Sequence, residues 1–253
     1  MAATPDENDT YILHVRMMES VDPIISRILC VPADLDFRSF HLVLQAAFGW
    51  AEAHLYHFTV SESRAAGEPY QFFRPNKELL SIQDSDDDWD EQDDMVVQMA
   101  LVTGRPPPRI TPKALASECT LASVFANPQF AHGKAEVTYE YDFGDGWIHE
   151  IVCLGKADAD GEFARREIGK GVADGQWTWC IGGEGHPCAE DCGGSGGWKE
   201  LKQAFADSAH GGECVAELRT WYRTYCLNGE REGLNPRKWD IFEVNQRLAA
   251  LHC

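Results

Sequence analysis

Residues 139–151 constrain the fold most, because their pattern predicts a β-hairpin. Two runs rich in β-branched and aromatic residues flank Asp145-Gly146, and an Asp-Gly pair between such runs is a strong signal for a two-residue hairpin turn. With that turn, Asp142 lies opposite His149, and directly opposed side chains on one face have Cβ atoms about 5 Å apart. The spacing therefore predicts a carboxylate–imidazole pair, which is the best chemical candidate in the chain.

The same pairing places Glu140 next to the pair and puts Tyr139, Tyr141 and Phe143 on the opposite, core-facing side. Two other interpretations stay open. The pair fits a surface ion pair without a chemical role equally well. A three-residue turn would shift the register by one and separate the two side chains.

The composition indicates one large folded domain. The chain has 253 residues, of which 44% are hydrophobic, and this is enough for a substantial core. We expect a single domain over residues 1–253, with an acidic loop insert at about residues 61–113. No apolar run approaches the roughly 20 residues of a membrane span, and residues 1–10 are not typical of a secretory signal. The expected location is cytoplasmic.

The charge balance limits the classes of partner. The formal net charge is −19, and eight acidic residues lie within residues 84–94. Broad, non-specific binding of nucleic acid is disfavoured, because it relies on Lys and Arg neutralising phosphates. A local basic patch is still compatible with this composition, and a strongly acidic protein favours a cationic ligand.

The order of predicted elements indicates an α+β fold. Strands are expected near residues 11–17, 24–31 and 55–60. A helix near residues 36–48 is capped by Asp34 or Asp36 and ends at Gly49. Further helices are expected after residue 198. We therefore expect an antiparallel sheet with a central β-hairpin, packed by several helices.

Metal binding is considered at two places, and no metal ligand is assigned at either. Cys180, His186, Cys188 and Cys192 lie in a segment with seven glycines over 16 positions, which predicts a loop rather than a helix or strand. Their spacing is not a standard zinc pattern, so buried, inert thiols are the alternative. The remaining histidines considered as ligands or core-edge hydrogen bonders are His41, His54 and His57.

Nucleophilic catalysis is a further hypothesis for this glycine-rich segment. Cys192 or Ser195 would attack an activated carbonyl with help from His149 or His210. The N–H groups of neighbouring glycines would hold the oxyanion. The strand–turn–helix context of a G-x-S-x-G motif is missing.

Three blocks of sequence resemble the plasmid pRiA ORF-three-like domain family. The first runs from Ser26-Arg27-Ile28 through Phe48-Gly49-Trp50 to Phe58. The second is Tyr141-Asp142-Phe143-Gly144-Asp145-Gly146-Trp147 with His149. The third holds Glu190-Asp191-Cys192-Gly193-Gly194 and Gly197-Trp198, followed by His210 and Glu213. The resemblance implies an α+β domain, and the biochemical role of most of the family is unknown.

One fungal branch of that family consists of arginine-containing cyclodipeptide synthases, and the resemblance implies the same activity here. Such an enzyme takes arginine and a second amino acid from aminoacyl-tRNAs and releases a diketopiperazine, without a cofactor. The roles implied are His149 as base oriented by Asp142, Cys192 or Ser195 as nucleophile, and Glu140, Asp145, Trp147, Glu190, Asp191 and His210 as substrate-binding residues. The cations considered for the tRNA backbone are Arg165, Arg166 and Lys170, or Arg219, Arg223 and Arg231. The alternative is a non-catalytic module, with or without zinc, of a mobile-element or regulatory protein.

Overall fold

The computed structural model describes residues 9–63, 77–84, 99, 102, 110–130, 133–157, 176–206 and 212–251. Several predictions fall outside these ranges. They include the roles given to His210 and to the cations Arg165, Arg166 and Lys170, and nearly all of the acidic stretch.

Eight strands form one sheet in the order β5-β4-β3-β6-β7-β1-β2-β8. The strands are β1 Thr10–Met17, β2 Ser26–Pro32, β3 Tyr56–Glu62, β4 Glu78–Gln83, β5 Lys113–Leu115, β6 Ala135–Tyr141, β7 Trp147–Lys156 and β8 Trp179–Glu184.

The expected antiparallel sheet with a central β-hairpin is wrong, because the sheet is mixed. Strand β5 runs parallel to β4, with Ser81 opposite Lys113 and Gln83 opposite Leu115. Two parallel neighbours cannot be joined by a tight turn and need a long crossover. The chain between residues 84 and 113 makes that connection.

The predicted two-residue turn between β6 and β7 is also wrong. Tyr141 pairs with Trp147, and Tyr139 pairs with His149, so the five residues 142–146 form the connection. Asp142 starts this loop with a positive φ of 58°. Its carboxylate accepts hydrogen bonds from the N–H groups of Gly144 and Asp145 at 3.0 and 3.3 Å. This side-chain turn competes with the Asp-Gly turn and closes the loop earlier in the chain.

Five helices are described over their whole length: α1 Phe37–Phe48, α2 Leu121–Phe125, α3 Gly194–Ala206, α4 Glu213–Thr224 and α5 Ile241–Ala249. The prediction for α1 is confirmed at both ends. Asp36 accepts from the Ser39 N–H at 2.6 Å, and Gly49 adopts the left-handed conformation at the C-terminus. None of the described helices has the length and hydropathy needed to span a membrane.

A single large core joins the sheet to the helices. Phe37, Phe40 and Phe48 of α1 are fully buried, as are Phe58 of β3 and Leu13 of β1. The aromatic rings of Phe37 and Phe58 lie 4.8 Å apart in an edge-on arrangement. At the other end of α1, Phe48 packs against His149 of β7, so residues 50–54 leave the helix beside the loop that joins β6 to β7.

Candidate functional site

The loop of residues 142–146 meets the glycine-rich segment that leads into α3. The Gly193 N–H donates to the Asp145 carboxylate at 3.2 Å. Gly194 has a φ of +67°, and a Cβ placed on it would lie 2.7 Å from the Asp145 carbonyl oxygen. A side chain at position 194 would therefore push the two segments apart, which explains a glycine at this contact.

One imidazole and three carboxylates meet at the start of this loop. His54 Nε2 lies 3.1 Å from Asp191 Oδ1, 3.6 Å from Asp142 Oδ2 and 3.6 Å from Glu190 Oε2. We call His54, Asp142, Glu190 and Asp191 the His54 cluster. Its members come from the segment after α1, from the β6–β7 loop and from the loop before α3.

Glu190 is the most firmly held member of the His54 cluster. Its side chain is fully buried. It accepts hydrogen bonds from the Ala51 N–H at 2.6 Å and from the Tyr141 hydroxyl at 3.1 Å. Burial raises the pKa of this carboxyl above its usual value, and the hydrogen bonds from Ala51 and Tyr141 partly offset that shift. The Asn228 side chain accepts from the Glu190 N–H at 2.9 Å and so fixes the backbone as well.

His149 does not contact Asp142, so the predicted acid–imidazole pair is corrected. The observed register differs from the predicted one by three residues, and an odd shift exchanges the two faces of a strand. His149 is completely buried and packs edge-on against Phe48, with the ring centroids 4.8 Å apart. It lies on the same side of the sheet as Tyr139, with which it pairs directly.

The surroundings of His149 do not suit a general base. Nδ1 lies 3.1 Å from the Trp147 carbonyl oxygen and 3.4 Å from that of Tyr139, so the proton sits on Nδ1. Burial lowers the pKa of His149 from 6.5 to about 4. Nε2 has no hydrogen-bond partner in the described part of the chain. This imidazole is a neutral core residue.

Cys192 is poorly suited to be a nucleophile. Its thiol is half-buried and lies 3.8 Å from the Gly194 carbonyl oxygen. Burial, together with the nearby Asp145 carboxylate, raises the pKa of Cys192 far above its usual value. The thiolate is the reactive form of cysteine, so this side chain stays protonated at neutral pH.

Three of the predicted site residues line one cavity of about 430 Å³: Asp145, Trp147 and Ser195. A neighbouring cavity of about 560 Å³ shares Trp147 and Ser195 with it and extends along α3 to Lys199, Lys202 and Arg237. We call the two cavities together the α3 groove. The groove runs from the β6–β7 loop along α3 as far as Ala206.

The other candidates lie apart from these features. Glu140 is on the opposite face of β6 from Tyr141, and its Oε2 is 3.7 Å from His57 Nε2. Cys188 packs against the sulfur of Met17 at 3.3 Å, while the His186 Nδ1 faces the Pro187 carbonyl oxygen at 2.7 Å. Among the described residues, the groups that could together hold a metal ion are those of His54, Asp142 and Asp191, and not the cysteine set.

His54 is the functional candidate that sequence reasoning undervalued. It was considered only together with His41 and His57, as one of three histidines near a helix–strand junction. His41 instead hydrogen-bonds the Tyr139 hydroxyl at 2.8 Å inside the core. His54 lies next to Glu190 and Asp191, which are more than 130 positions later in the sequence, and spacing along the chain does not reveal such a contact.

Comparison with known families identifies the family of this chain. Residues 9–243 match the family described as Plasmid pRiA4b ORF-3-like protein. The chain belongs to this family. The residues that match the Plasmid pRiA4b ORF-3-like family include the sheet, the His54 cluster and most of the described helices. The family is the one that the resemblance implied.

Two known proteins are similar to this Plasmid pRiA4b ORF-3-like chain. One is the uncharacterized protein y4hQ of Sinorhizobium fredii (strain NBRC 101917 / NGR234). It is 28% identical over 204 residues, which cover 81% of this chain and 76% of y4hQ. The other is the crystal structure of MM3350, a protein of unknown function from Methanosarcina mazei Go1. It has a TM-score of 0.59 and 19% identity, covering 93% of this chain and 96% of MM3350, so the likeness shows a shared fold.

Proposed function

We propose that this protein is an aminoacyl-tRNA-dependent cyclodipeptide synthase that joins arginine to a second amino acid in the α3 groove. The observation that carries the proposal is a group of cations in the groove. In a chain of net charge −19, Lys199, Lys202 and Arg237 line this groove. Glu19 and Asp22 line it as well, and Asp22 forms an ion pair with Arg237, so within the described part of the chain the cations of the groove that are not paired with a carboxylate are Lys199 and Lys202. Cations gathered in a cleft attract the phosphates of a nucleic acid even against an adverse overall charge.

The groove also offers carboxylates for a cationic substrate. Asp145 and Glu19 line the end of the groove nearest the β6–β7 loop. A guanidinium binds carboxylates through charge-assisted hydrogen bonds. This arrangement supports an arginyl group at that end, with the tRNA backbone along Lys199 and Lys202.

The reaction needs little from the protein beyond positioning, because the aminoacyl ester is already activated. The α-amine nitrogen of one aminoacyl group attacks the ester carbonyl of the other. An N–C bond forms, the ester C–O bond breaks, and the departing ribose oxygen takes the proton. A second attack of the same kind closes the ring. Because the ordinary pKa of an α-amine is near 8, a fraction of it is neutral at pH 7 without a strongly tuned base.

Ser195 is the better candidate if a covalent aminoacyl-enzyme forms. It is exposed in the first turn of α3 and lines both cavities of the α3 groove. In that step the serine oxygen forms a new ester and the tRNA ribose oxygen leaves with the serine proton. The Cys192 thiol, the first choice from sequence, is disfavoured by its raised pKa.

The test is a reconstituted reaction with arginine, a second amino acid, tRNA and the two synthetases. We expect a diketopiperazine mass that ribonuclease abolishes. Lys199→Glu should lower the yield at least tenfold, since it reverses a charge in the groove. Lys134→Glu makes the same charge change far from the groove, where Lys134 bonds the Pro128 carbonyl oxygen, and should leave the yield unchanged.

Two results would contradict the proposal: no product with any second amino acid, or equal yields from the Lys199 and Lys134 variants. The alternative is a non-catalytic module of a mobile-element or regulatory protein. Absence of product combined with a stoichiometric metal ion would support that alternative, and the His54 cluster is the observation that favours it.

A further inference from the structure

We propose that the fold holds a binding site for one divalent first-row transition-metal ion, formed by His54, Asp142 and Asp191. The site lies outside the residues assigned to the α3 groove. It does not depend on the proposed aminoacyl transfer, and it differs from the cysteine set that the sequence offered for zinc.

The distances among His54, Asp142 and Asp191 are close to those between ligands that share one ion. With metal–nitrogen and metal–oxygen bonds of about 2.1 Å, neighbouring ligand atoms are about 3.0 Å apart in an octahedron and about 3.4 Å apart in a tetrahedron. His54 Nε2 is 3.1, 3.6 and 3.6 Å from the oxygens of Asp191, Asp142 and Glu190. The ligand atoms of His54, Asp142 and Asp191 all lie within 4.8 Å of one another.

The state of the His54 nitrogen is a second, independent observation. Nε2 is buried, and it forms no hydrogen bond within the described part of the chain, although three carboxylate oxygens surround it. A protonated imidazole in an ion pair directs its N–H at one oxygen. A nitrogen aimed between several oxygens is instead oriented as it is when its lone pair points at a metal ion that the oxygens also bind.

Glu190 is a rigid carboxylate beside these three ligands. Its side chain is fully buried, and the Ala51 N–H and the Tyr141 hydroxyl hold it in place. Hydrogen bonds to a ligating carboxylate orient it and are typical of metal sites. Asp142 is held in the same way by the Gly144 and Asp145 N–H groups. Asp191, whose side chain is 56% exposed, forms the open side through which an ion enters.

The ligand types select the class of metal. Imidazole nitrogen suits zinc, iron, nickel and copper, whereas carboxylates suit manganese, magnesium and calcium. One imidazole with two carboxylates is a ligand set that manganese, iron and zinc all accept. The three negative charges gathered here cost least when a divalent cation lies between them.

The test uses Mn²⁺, because its free ion is counted directly by electron paramagnetic resonance and thiols bind it weakly. We expect one Mn²⁺ per chain in the purified full-length protein, displaced by Zn²⁺. His54→Gln and Asp191→Asn should each weaken this binding at least tenfold. His54→Gln removes one edge-on contact with the Tyr141 ring and Asp191 is exposed, so the circular dichroism spectrum, recorded for each variant, should be unchanged.

Matched controls are available nearby. His57 is exposed to the same degree as His54, 27% against 28%, and also faces a carboxylate, but it is outside the cluster. His57→Gln and the exposed-surface change Asp34→Asn should leave Mn²⁺ binding unchanged. All variants share the weak Mn²⁺ binding to other carboxylates, including those of residues 84–94, so this binding cancels when the variants are compared. Equal binding by all four variants, or no stoichiometric Mn²⁺ in the unsubstituted protein, would overturn the proposal, whereas cyclodipeptide formation is scored separately.

Discussion

The buried, neutral state of His149 makes the stability of the fold depend on pH. Burial lowers the pKa of His149 to about 4 in the folded protein, and an unfolded histidine has a pKa near 6.5. Below pH 6.5 the unfolded chain therefore binds a proton that the folded protein does not. The stability that this residue contributes is fully present above pH 6.5 and is lost as the pH falls towards 4.

The size of this effect follows from the two pKa values. At pH 5 an unfolded histidine is almost fully protonated, whereas His149 in the folded state is mostly neutral. Unfolding is then favoured by about 2 kcal/mol relative to pH 7.5. This is a large share of the roughly 5–15 kcal/mol by which domains are stable.

The measurement is urea unfolding, followed by tryptophan fluorescence, of the unsubstituted protein and His149→Gln at pH 7.5 and pH 5. Other ionisable groups contribute equally to both proteins, so the difference between them isolates His149. The loss of unfolding free energy between the two pH values should be about 2 kcal/mol smaller in the variant. His41, whose pKa burial also lowers to about 4, should behave alike in His41→Gln. Equal losses in His149→Gln and the unsubstituted protein would refute this reasoning.

Two further predictions concern local structure. Asp36→Ala removes the side-chain cap of α1, in which Asp36 accepts a hydrogen bond from the Ser39 N–H. It should lower the free energy of unfolding, measured in urea, by about 1 kcal/mol. An unchanged free energy would show that the cap makes no net contribution to stability. Gly183→Ala should be far more costly, because a Cβ there would lie 2.4 Å from the Ser26 carbonyl oxygen. We expect its thermal midpoint to fall well below that of Gly196→Ala, where a Cβ meets nothing within 4 Å. Equal midpoints for the two glycine variants would contradict the close approach of β8 to β2.

Helix α1 was predictable because its signals are local. The apolar residues recur at helical spacing, Asp36 caps the first turn, and Gly49 supplies the left-handed residue at the end. Each signal lies within a few positions of the backbone group that it satisfies. The structure confirms all of them.

The register of β6 and β7 was not predictable from the Asp-Gly signal, because Asp142 offers the chain a competing turn. Its carboxylate bonds the N–H groups of Gly144 and Asp145, and the Gly146 N–H bonds the Asp142 carbonyl oxygen at 2.6 Å. The loop therefore closes from Asp142 to Gly146. Residues 142–146 contain the signals for both the Asp142 turn and the Asp-Gly turn. Packing of Tyr141 and His149 against the core selects between them.

Strand β8 shows why glycine content misled the prediction for residues 177–198. Gly182 and Gly183 lie inside the strand, where glycine is ordinarily unfavourable. At Gly183 the backbone approaches Ser26 and Trp239 too closely for a side chain. The reason for glycine lies in a distant part of the chain. The same applies to the His54 cluster, whose four members become neighbours only when three loops meet.

The most direct test of the His54 cluster as a metal centre is anomalous scattering from crystals grown with Mn²⁺. We predict one strong anomalous difference peak about 2.1 Å from His54 Nε2 and within bonding distance of the Asp142 and Asp191 carboxylates. A map without a peak at this position, or with its strongest peak beside Cys180, Cys188 or Cys192, would contradict the account.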